Sequence, residues 1–224
     1  SCCRSLVGGA GTTYDAQHID YSYAHIDGGV DDPGYFTDAA GSAEAYAAFN
    51  SDYTVLTFYY DNQKAFRNGM DLGPFPNADY RGWNSYAGNI TKVVFDSSMD
   101  SYTGLTSTAS WFWEFTNLEE VVDIKYLHTD NVTSMDGMFG IWGGTGSTPY
   151  TGKLPAVDMT HFNTSKVVNM NGIFSNCAAI TALDLSSFDT SSVTDMSAMF
   201  SGCTGLRTIS VGSGWTTAKV TNND

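Results

Sequence analysis

Thr190-Ser-Ser-Val-Thr-Asp-Met-Ser-Ala-Met-Phe200 decides the fold of this chain, because the same pattern occurs three times. Residues 129–139 and 164–174 align with it without gaps, and residues 217–224 begin a fourth copy in phase. Repetition of this kind is typical of a solenoid, in which each unit buries its apolar face against its neighbours. The repeats therefore predict a stack of similar units in the C-terminal part of the chain.

Each repeat carries two further signals. The alternation in Leu183-Asp-Leu185 predicts a short strand, with counterparts at 157–159 and 209–211. Apolar residues then recur at steps of three or four, which predicts one amphipathic turn or short helix with a buried apolar side. In the last complete copy these residues are Val193, Met196, Met199, Phe200 and Cys203. The expected fold is an α/β solenoid with one short strand and one short helix per repeat.

The spacing of the repeats is uneven. Val167 and Val193 are 26 residues apart, whereas Val132 and Val167 are 35 residues apart. The extra residues lie at 141–150, between the first and second copies. Insertions in repeat proteins emerge as loops on one face, which is often the binding face. We therefore expect residues 140–152 to project from the stack.

The segment before the repeats has a different pattern. Residues 53–61 and 90–95 have the β-branched and aromatic content of strands, whereas residues 43–49 fit either a short helix or an irregular strand. The predicted organisation is an N-terminal segment at 1–40, a β-rich cap at 41–110 and the solenoid at 111–224, with its last repeat incomplete.

The charge and composition of the chain argue against two classes of binding partner. The chain of 224 residues has 24 acidic and 10 basic residues and a net charge of −14. Nucleic acids and anionic membranes are bound through basic patches, so neither is an expected partner. No run of about 18 apolar residues occurs, so membrane insertion is not expected either. The low Lys and Arg content, with many Ser, Thr, Asn and Tyr residues, favours an extracellular protein.

The stretch Ile180-Thr-Ala-Leu-Asp-Leu-Ser-Ser-Phe-Asp-Thr-Ser-Ser-Val-Thr-Asp-Met-Ser-Ala-Met-Phe-Ser-Gly-Cys203 resembles the repeat of the BspA-like leucine-rich-repeat surface proteins of bacteria and some microbial eukaryotes. Residues 53–61 and 90–96 resemble the segment that precedes the repeats in that family. The resemblance implies a leucine-rich-repeat-like solenoid on secreted or surface-anchored proteins, often linked with adhesion. It brings no catalytic residues, so the predicted function is a non-catalytic structural or adhesive module at the cell surface.

The order of segments departs from that family. Residues 6–14 and 23–29 resemble the segment that normally follows the last repeat, yet here they come first. We therefore expect the N-terminal segment of one copy to complete the last repeat of another, giving a head-to-tail fibre or tandem array. The expected partners are other copies of the chain or adjoining tandem modules. The predicted assembly interface consists of Cys3, Leu6, Val7, Ile209, Val211, Trp215 and Val220.

Aromatic residues suggest an alternative function. Large aromatic side chains are favoured at recognition sites because they combine contact area with a polar edge. An exposed set of them would bind a glycan or a host or matrix protein. Trp111 and Phe112 adjoin the first repeat, so burial is expected for them, and Trp113 is a further aromatic candidate. The residues predicted to contact a ligand are Trp142 and Tyr150 in the inserted loop, with Trp83 and Tyr86.

The sequence contains no catalytic motif and only a poor candidate for an ion-binding site. No Ser-His-Asp order, phosphate-binding loop or His-Glu-x-x-His motif occurs, so no enzymatic activity and no cofactor are predicted. Asp27, Asp31 and Asp32 offer oxygen ligands for Ca²⁺ but do not fit the spacing of an EF-hand loop. They are therefore predicted to be solvated carboxylates in turns.

The sequence contains possible glycosylation sites and one possible disulfide pair. Three glycosylation sequons begin at Asn89, Asn131 and Asn163, a number that chance alone would give. Cys177 and Cys203 occupy the same repeat position, where stacked strands would bring them within disulfide range. Small buried free thiols are nevertheless the favoured interpretation. The sequence leaves the pairing of Cys2 and Cys3 open.

Overall fold

The computed structural model of this chain describes residues 42–142 and 151–222. The elements described below belong to one compact unit, Glu44–Asp224.

A five-stranded mixed sheet is built in the first half of this unit. Its strands are β1 (Glu44–Phe49), β2 (Val55–Asp61), β3 (Met70–Asp71), β4 (Lys92–Phe95) and β5 (Glu120–Val122). The spatial order is β3-β1-β2-β4-β5. β1 pairs antiparallel with both β2 and β3, whereas β2, β4 and β5 run parallel. Alternation places Leu56 and Phe58 of β2 in the core with Val93 and Phe95 of β4.

The repeats are joined side by side through parallel backbone pairing. Parallel bridges connect equivalent residues of successive repeats, in the order Ser107, Ser134, Asn169, Asp195 and Asn222. Strands β6 (Ala182–Leu185) and β7 (Thr208–Val211) form a second parallel sheet at the predicted strand positions of the last two repeats. Residues 157–159 form no strand. The set of paired segments 105–112, 132–139, 167–174, 193–200 and 220–222 is called the repeat ladder below.

The predicted α/β solenoid of the leucine-rich-repeat type, with a helix in every repeat, is wrong. The described part of the chain is mainly mixed sheet and turns, and its helical segments are four short 3-10 helices at Ala78–Tyr80, Asn84–Asn89, Ser97–Ser101 and Ile124–Tyr126. The reason is visible in residues 170–174, where alternate N–H groups donate to the next repeat. Met170 N donates to Asp195 O at 2.9 Å and Gly172 N to Ser197 O at 2.8 Å. These donors are therefore not available for the bonds of an α-helix.

The ladder contains a copy that the sequence pattern does not reveal. Residues 105–112 pair with residues 132–139, with Thr108 N donating to Ser134 O at 3.1 Å and Phe112 N to Met138 O at 2.8 Å. Leu105 thus takes the position of Val132, and Thr108 that of Met135. The sequence alignment misses this copy because Thr108 replaces methionine in it.

One column of aromatic side chains runs along the core of the ladder. Phe139 and Phe174 stack with ring centroids 5.8 Å apart, and Phe174 and Phe200 with centroids 6.0 Å apart. Phe139 and Phe174 are buried, but Phe200 is only partly buried, as is Met196. The prediction that Phe200 and Met196 are buried is therefore only partly confirmed. Within the described residues, a full layer of core side chains packs against them on one side only.

A column of threonines fastens successive repeats from inside. The hydroxyl of Thr164 donates to Asp189 O at 2.9 Å and accepts from Asp189 N at 2.9 Å. Thr129 makes the same pair of bonds with Asn163, and Thr190 makes it with Thr216. Each hydroxyl is thus used as both donor and acceptor, which satisfies it in a buried position.

Candidate functional site

The clearest candidate site is an open groove beside the first three segments of the repeat ladder. Its volume is about 400 Å³. The indoles of Trp113 and Trp142 form one wall, with ring centroids 6.1 Å apart and planes inclined by 22°. Trp142 is 66% exposed, so its ring presents a large apolar surface to solvent. The lining considered below, which we call the tryptophan groove, comprises Trp113, Trp142, Asp136, Asn171, Asp79 and Asn77.

A buried arginine holds one side of the groove in place. Arg81 is 2% exposed, and its Nη1 donates to the carbonyls of Ser110, Trp111 and Trp113 at 2.6, 3.2 and 3.1 Å. Burial lowers the pKa of Arg81 to about 10, so the side chain remains protonated at neutral pH. The 3-10 helix Ala78–Tyr80, which supplies Asp79, is thereby fixed to the first copy of the ladder.

Two glycines make room for the Trp113 ring. A Cβ on Gly137 would lie 2.5 Å from Trp113 Cε3, and one on Gly140 would lie 2.8 Å from Trp113 Cζ3. Trp142 is held separately, because its backbone N–H donates to Glu114 Oε1 at 2.6 Å. The Trp113 ring is therefore packed against Gly137 and Gly140, whereas the Trp142 ring is positioned by its bonded backbone and by its contact with Trp113.

Polar side chains also line the groove. The Asp136 carboxylate and the Asn171 amide make no side-chain hydrogen bond within the described residues, and neither do the indole N–H groups. Burial, with a smaller effect of Asp195, raises the pKa of Asp136 above its usual value. No lysine or arginine is among the described residues that line the groove. The groove therefore offers an apolar platform, acceptors and amide donors without a positive charge.

These groups suit a ring-shaped polyhydroxylated ligand. A pyranose has a face of C–H groups, which packs on an aromatic ring, and a rim of hydroxyls that both donate and accept. Sites for small ligands combine such an apolar wall with a few polar groups that fix orientation.

A second cleft, which we call the tyrosine cleft, lies beside the turn between β1 and β2. Its volume is about 350 Å³, and Phe49, Tyr53, Arg67, Asn68, Met70 and Tyr86 are among its lining residues. Tyr53 and Tyr86 stack with ring centroids 4.2 Å apart and planes inclined by only 6°.

The four residues predicted to contact a ligand do not form one site. Trp142 lines the tryptophan groove and Tyr86 lines the tyrosine cleft. Trp83 is fully buried and donates from Nε1 to Trp111 O at 2.8 Å, so it has no surface for a ligand. Trp111 and Phe112 are buried as expected. Tyr150 lies outside the described residues.

Sequence reasoning missed the polar half of the groove. Asp136 and Asn171 occupy equivalent repeat positions and were assigned to no site, although Asp136 lies one residue from the glycine that accommodates Trp113. Two carboxamide or carboxylate residues at one position of successive repeats would have been the signal, since such residues face the same side of a stack.

The three sequons are exposed, but two of their amides are engaged. Asn131 Nδ2 donates to Thr103 O at 3.1 Å, and Asn163 Nδ2 donates to Asp130 Oδ1 at 2.8 Å. Glycosylation replaces one of the two Nδ2 hydrogens, so the remaining hydrogen would have to make that bond. Asn89 adjoins the C-terminal end of a 3-10 helix and makes no comparable bond within the described residues.

The predicted assembly residues are described only at one end. Ile209 and Val211 of β7 are 39% and 48% exposed, and Trp215 and Val220 are partly buried. Cys3, Leu6 and Val7 lie outside the described residues, as do Cys2 and the carboxylates of Asp27, Asp31 and Asp32. Cys177 and Cys203 are free thiols whose Sγ atoms donate to Phe139 O and Phe174 O.

Across residues 42–142 and 151–222, no cluster of three or more His, Cys, Asp or Glu side chains is arranged to hold a metal ion. Within the same ranges, no helix has the length and apolar character needed to cross a membrane.

Comparison with known proteins gives one match. No curated protein and no solved structure matches the chain significantly. Residues 150–224, about a third of the chain, match a family model described as Mycoplasma protein of unknown function, DUF285. The matched region contains the last two complete copies of the repeat, together with β6 and β7. The C-terminal part of this chain is therefore similar to that family of repeats.

Proposed function

We propose that this chain is a non-catalytic recognition module of the cell surface or extracellular space that binds neutral carbohydrate in the tryptophan groove. The observation that carries the proposal is the stacked pair of indoles in one groove with Asp136 and Asn171, whose side chains make no hydrogen bond within the described residues. The resemblance of the repeats to BspA-like surface proteins supports the location and an adhesive role. The net charge of −14 argues against nucleic acid as the partner.

The groove favours an uncharged sugar for an electrostatic reason. Asp79 and Asp136 place negative charge in it, and no described lining residue carries a positive charge to balance a ligand carboxylate. A neutral pyranose avoids this repulsion and still uses the carboxylates as acceptors for its hydroxyls.

The test is a calorimetric titration of the whole chain with a panel of neutral mono- and oligosaccharides. We expect at least one member to bind, and Trp142→Ala to weaken its affinity about tenfold through loss of the stacking surface. Phe66→Ala is the matched control, because Phe66 is 69% exposed and does not line the groove. Equal loss of affinity in both variants, or no loss in Trp142→Ala, would refute the assignment of the groove.

A second candidate function is head-to-tail assembly, favoured by the exposed apolar residues of β7. In the described residues β7 pairs on one side only, with β6, and it exposes Ile209 and Val211. An unpaired apolar strand is a template for another strand. We propose residues 1–12 of a second copy as its occupant, since residues 1–6 of this segment align with residues 201–206 of the last repeat.

Sedimentation velocity tests this assembly. The intact chain should form concentration-dependent oligomers, whereas deletion of residues 1–12, or Val211→Lys, should give a folded monomer. A control variant, Val168→Lys, changes another exposed valine outside β7 and should assemble normally. A monomeric intact chain at all concentrations would rule the assembly out.

A further inference from the structure

The tyrosine cleft has a chemistry that differs from that of the tryptophan groove. Tyr53 and Tyr86 stack face to face with centroids 4.2 Å apart, so the pair leaves only its outer ring faces for a ligand, and the Phe49 ring meets both edge-on at 5.4 and 5.2 Å. This packed pair is the aromatic wall of the cleft, and Tyr53 in it is 43% exposed. Tyr53 also has a left-handed backbone, with φ of 57°, which costs energy for a large side chain. The phenol rings are thus held in place at an energetic cost.

The cleft contains a guanidinium whose position is fixed at one end. Arg67 Nη1 donates to Asp61 Oδ2 at 2.6 Å and to the Tyr46 hydroxyl, which itself donates to Asp61 Oδ1 at 2.5 Å. The guanidinium also lies over the Tyr59 ring, 4.2 Å from its centroid. These contacts order a side chain that would otherwise lose much conformational entropy on binding a ligand.

The other edge of the same guanidinium remains available. Its Nε–H and Nη2–H groups make no hydrogen bond within the described residues, and 37% of the side chain is exposed. This edge presents two parallel donors, the geometry that binds a carboxylate through both of its oxygens. The Asn68 side chain, also in the lining, makes no hydrogen bond within the described residues. Directed donors therefore stand beside the tyrosine wall.

Charge distinguishes this cleft from the groove. No aspartate or glutamate is among the described residues that line it, whereas Asp79 and Asp136 line the tryptophan groove. In a chain with 24 acidic and only 10 basic residues, a cleft lined by arginine and no acid is a marked local exception. An anionic ligand meets less repulsion here than in the groove.

We infer that the tyrosine cleft is a second binding site, and that its ligand is a sugar ring bearing a carboxylate, such as a hexuronate unit. The ring stacks on the Tyr53–Tyr86 wall, and the carboxylate accepts two hydrogen bonds from the Nε–Nη2 edge of Arg67. Amide groups such as that of Asn68 bind the ring hydroxyls. This site does not depend on the tryptophan groove, because the two share no lining residue.

The experiment compares sodium glucuronate, glucose and sodium acetate by NMR titration of the isotopically labelled chain. We expect glucuronate to bind about tenfold more tightly than either glucose or acetate, because only glucuronate has both the ring and the carboxylate. Shifts of amides in residues 49–53 and 67–70 should report the binding. Equal affinity for glucose and glucuronate would overturn the role of Arg67, and equal affinity for acetate would overturn that of the tyrosines.

Two variants localise the interaction. Arg67→Lys retains the positive charge opposite Asp61 but loses the bidentate edge, so glucuronate affinity should fall about tenfold. Tyr53→Asn removes the ring and is compatible with the left-handed backbone, so it should weaken binding while the thermal midpoint is retained. Tyr80→Ala serves as the matched control and should bind glucuronate normally, because Tyr80 is 67% exposed and lines neither the cleft nor the groove. Unchanged affinity in Arg67→Lys and Tyr53→Asn, or an equal loss in Tyr80→Ala, would refute the site.

Discussion

Ala198 adopts the same left-handed backbone as Gly172, its counterpart one repeat earlier, with φ of 52° and 55°. Gly137 and Ser110 share this conformation at the same repeat position, with φ of 57° and 60°. The turn therefore needs a conformation that glycine adopts freely and alanine adopts at a cost of about 1 kcal/mol or more.

Exchanging the two residue types tests this requirement. Ala198→Gly should raise the free energy of unfolding in urea by about 1 kcal/mol, and Gly172→Ala should lower it by about the same amount. A Cβ on Gly172 would meet only Ser175 Cβ at 3.6 Å, an ordinary contact, so the second change isolates the backbone effect. Destabilisation by Ala198→Gly would show that the turn is not strained.

The aromatic column predicts unequal effects of two similar truncations. Phe174 is fully buried between Phe139 and Phe200, so Phe174→Ala should reduce the free energy of unfolding by about 3–5 kcal/mol. Phe200→Ala removes a partly exposed ring and should cost clearly less. Denaturant unfolding of both variants measures the difference, and equal losses would contradict the packing of the column.

The Asp136 carboxylate should lower the stability of the fold while contributing to ligand binding. Burial raises its pKa, so the folded state penalises the ionised carboxylate at neutral pH. Asp136→Asn removes that penalty and should raise the thermal midpoint at about pH 7. The gain should shrink as the pH falls through the raised folded-state pKa and vanish below about pH 3, where the carboxyl is protonated in both states. In calorimetric titrations the same variant should bind the groove's sugar more weakly, since an acceptor is lost.

Arg81 should be more important for stability than an ordinary surface cation. Arg81→Met leaves three carbonyls without their shared donor in a buried place, so we expect a loss of about 3–5 kcal/mol in urea unfolding. Arg81→Lys should recover only part of this loss, because an ammonium lacks the guanidinium's planar set of donors. Near-ultraviolet circular dichroism should change with either variant, as Trp113 shifts.

The two repeat cysteines should differ in reactivity. Burial raises the pKa of both thiols, but Cys177 is buried whereas Cys203 is partly exposed. In a chain with Cys2→Ser and Cys3→Ser, iodoacetamide should alkylate Cys203 before Cys177, and Cys177 should react only when the fold opens. Mass spectrometry of peptides follows both sites. Absence of alkylation in denaturant without reductant would reveal a disulfide instead.

Sequence reasoning located the strands better than the segments between them. The strand predictions at 53–61 and 90–95 correspond to β2 and β4, because buried alternate residues are a local signal. Residues 43–49, left open between helix and strand, form β1, whose partner β2 decides the outcome.

The predicted helix failed for a physical reason. Spacings of three and four, as between Val193, Met196 and Phe200, place apolar residues on one side of consecutive turns as well as on one side of a helix. A helix and a series of turns differ in the acceptors of their backbone N–H groups. Here Met196 N donates to Asn222 O at 3.0 Å. That bond joins residues a whole repeat apart, so no local pattern contains it.

The candidate sites were only partly accessible to sequence reasoning. Trp142 and Tyr86 were identified as aromatic candidates, yet Trp83 is buried because its indole N–H has a partner in the core at Trp111. Arg67 and Asp136 gave no signal, since their importance comes from neighbours distant in sequence. The aromatic content of the sequence therefore suggested a recognition function. The polar groups that would determine which ligand binds could be identified only from the folded structure.

The threonine column has a consequence for how such a chain changes in length. Thr129, Thr164 and Thr190 each bond the backbone N–H and C=O of the residue that precedes the matching threonine position of the next repeat. A gene duplication that inserts one whole repeat would therefore place each new hydroxyl beside a matching backbone pair. The bonds also accommodate added length in the loop between two copies, since Thr129 bonds Asn163 across 34 residues whereas Thr164 bonds Asp189 across 25. The hydroxyls thus make the chain tolerant both of recombination between its repeats and of insertions in the loops that join them.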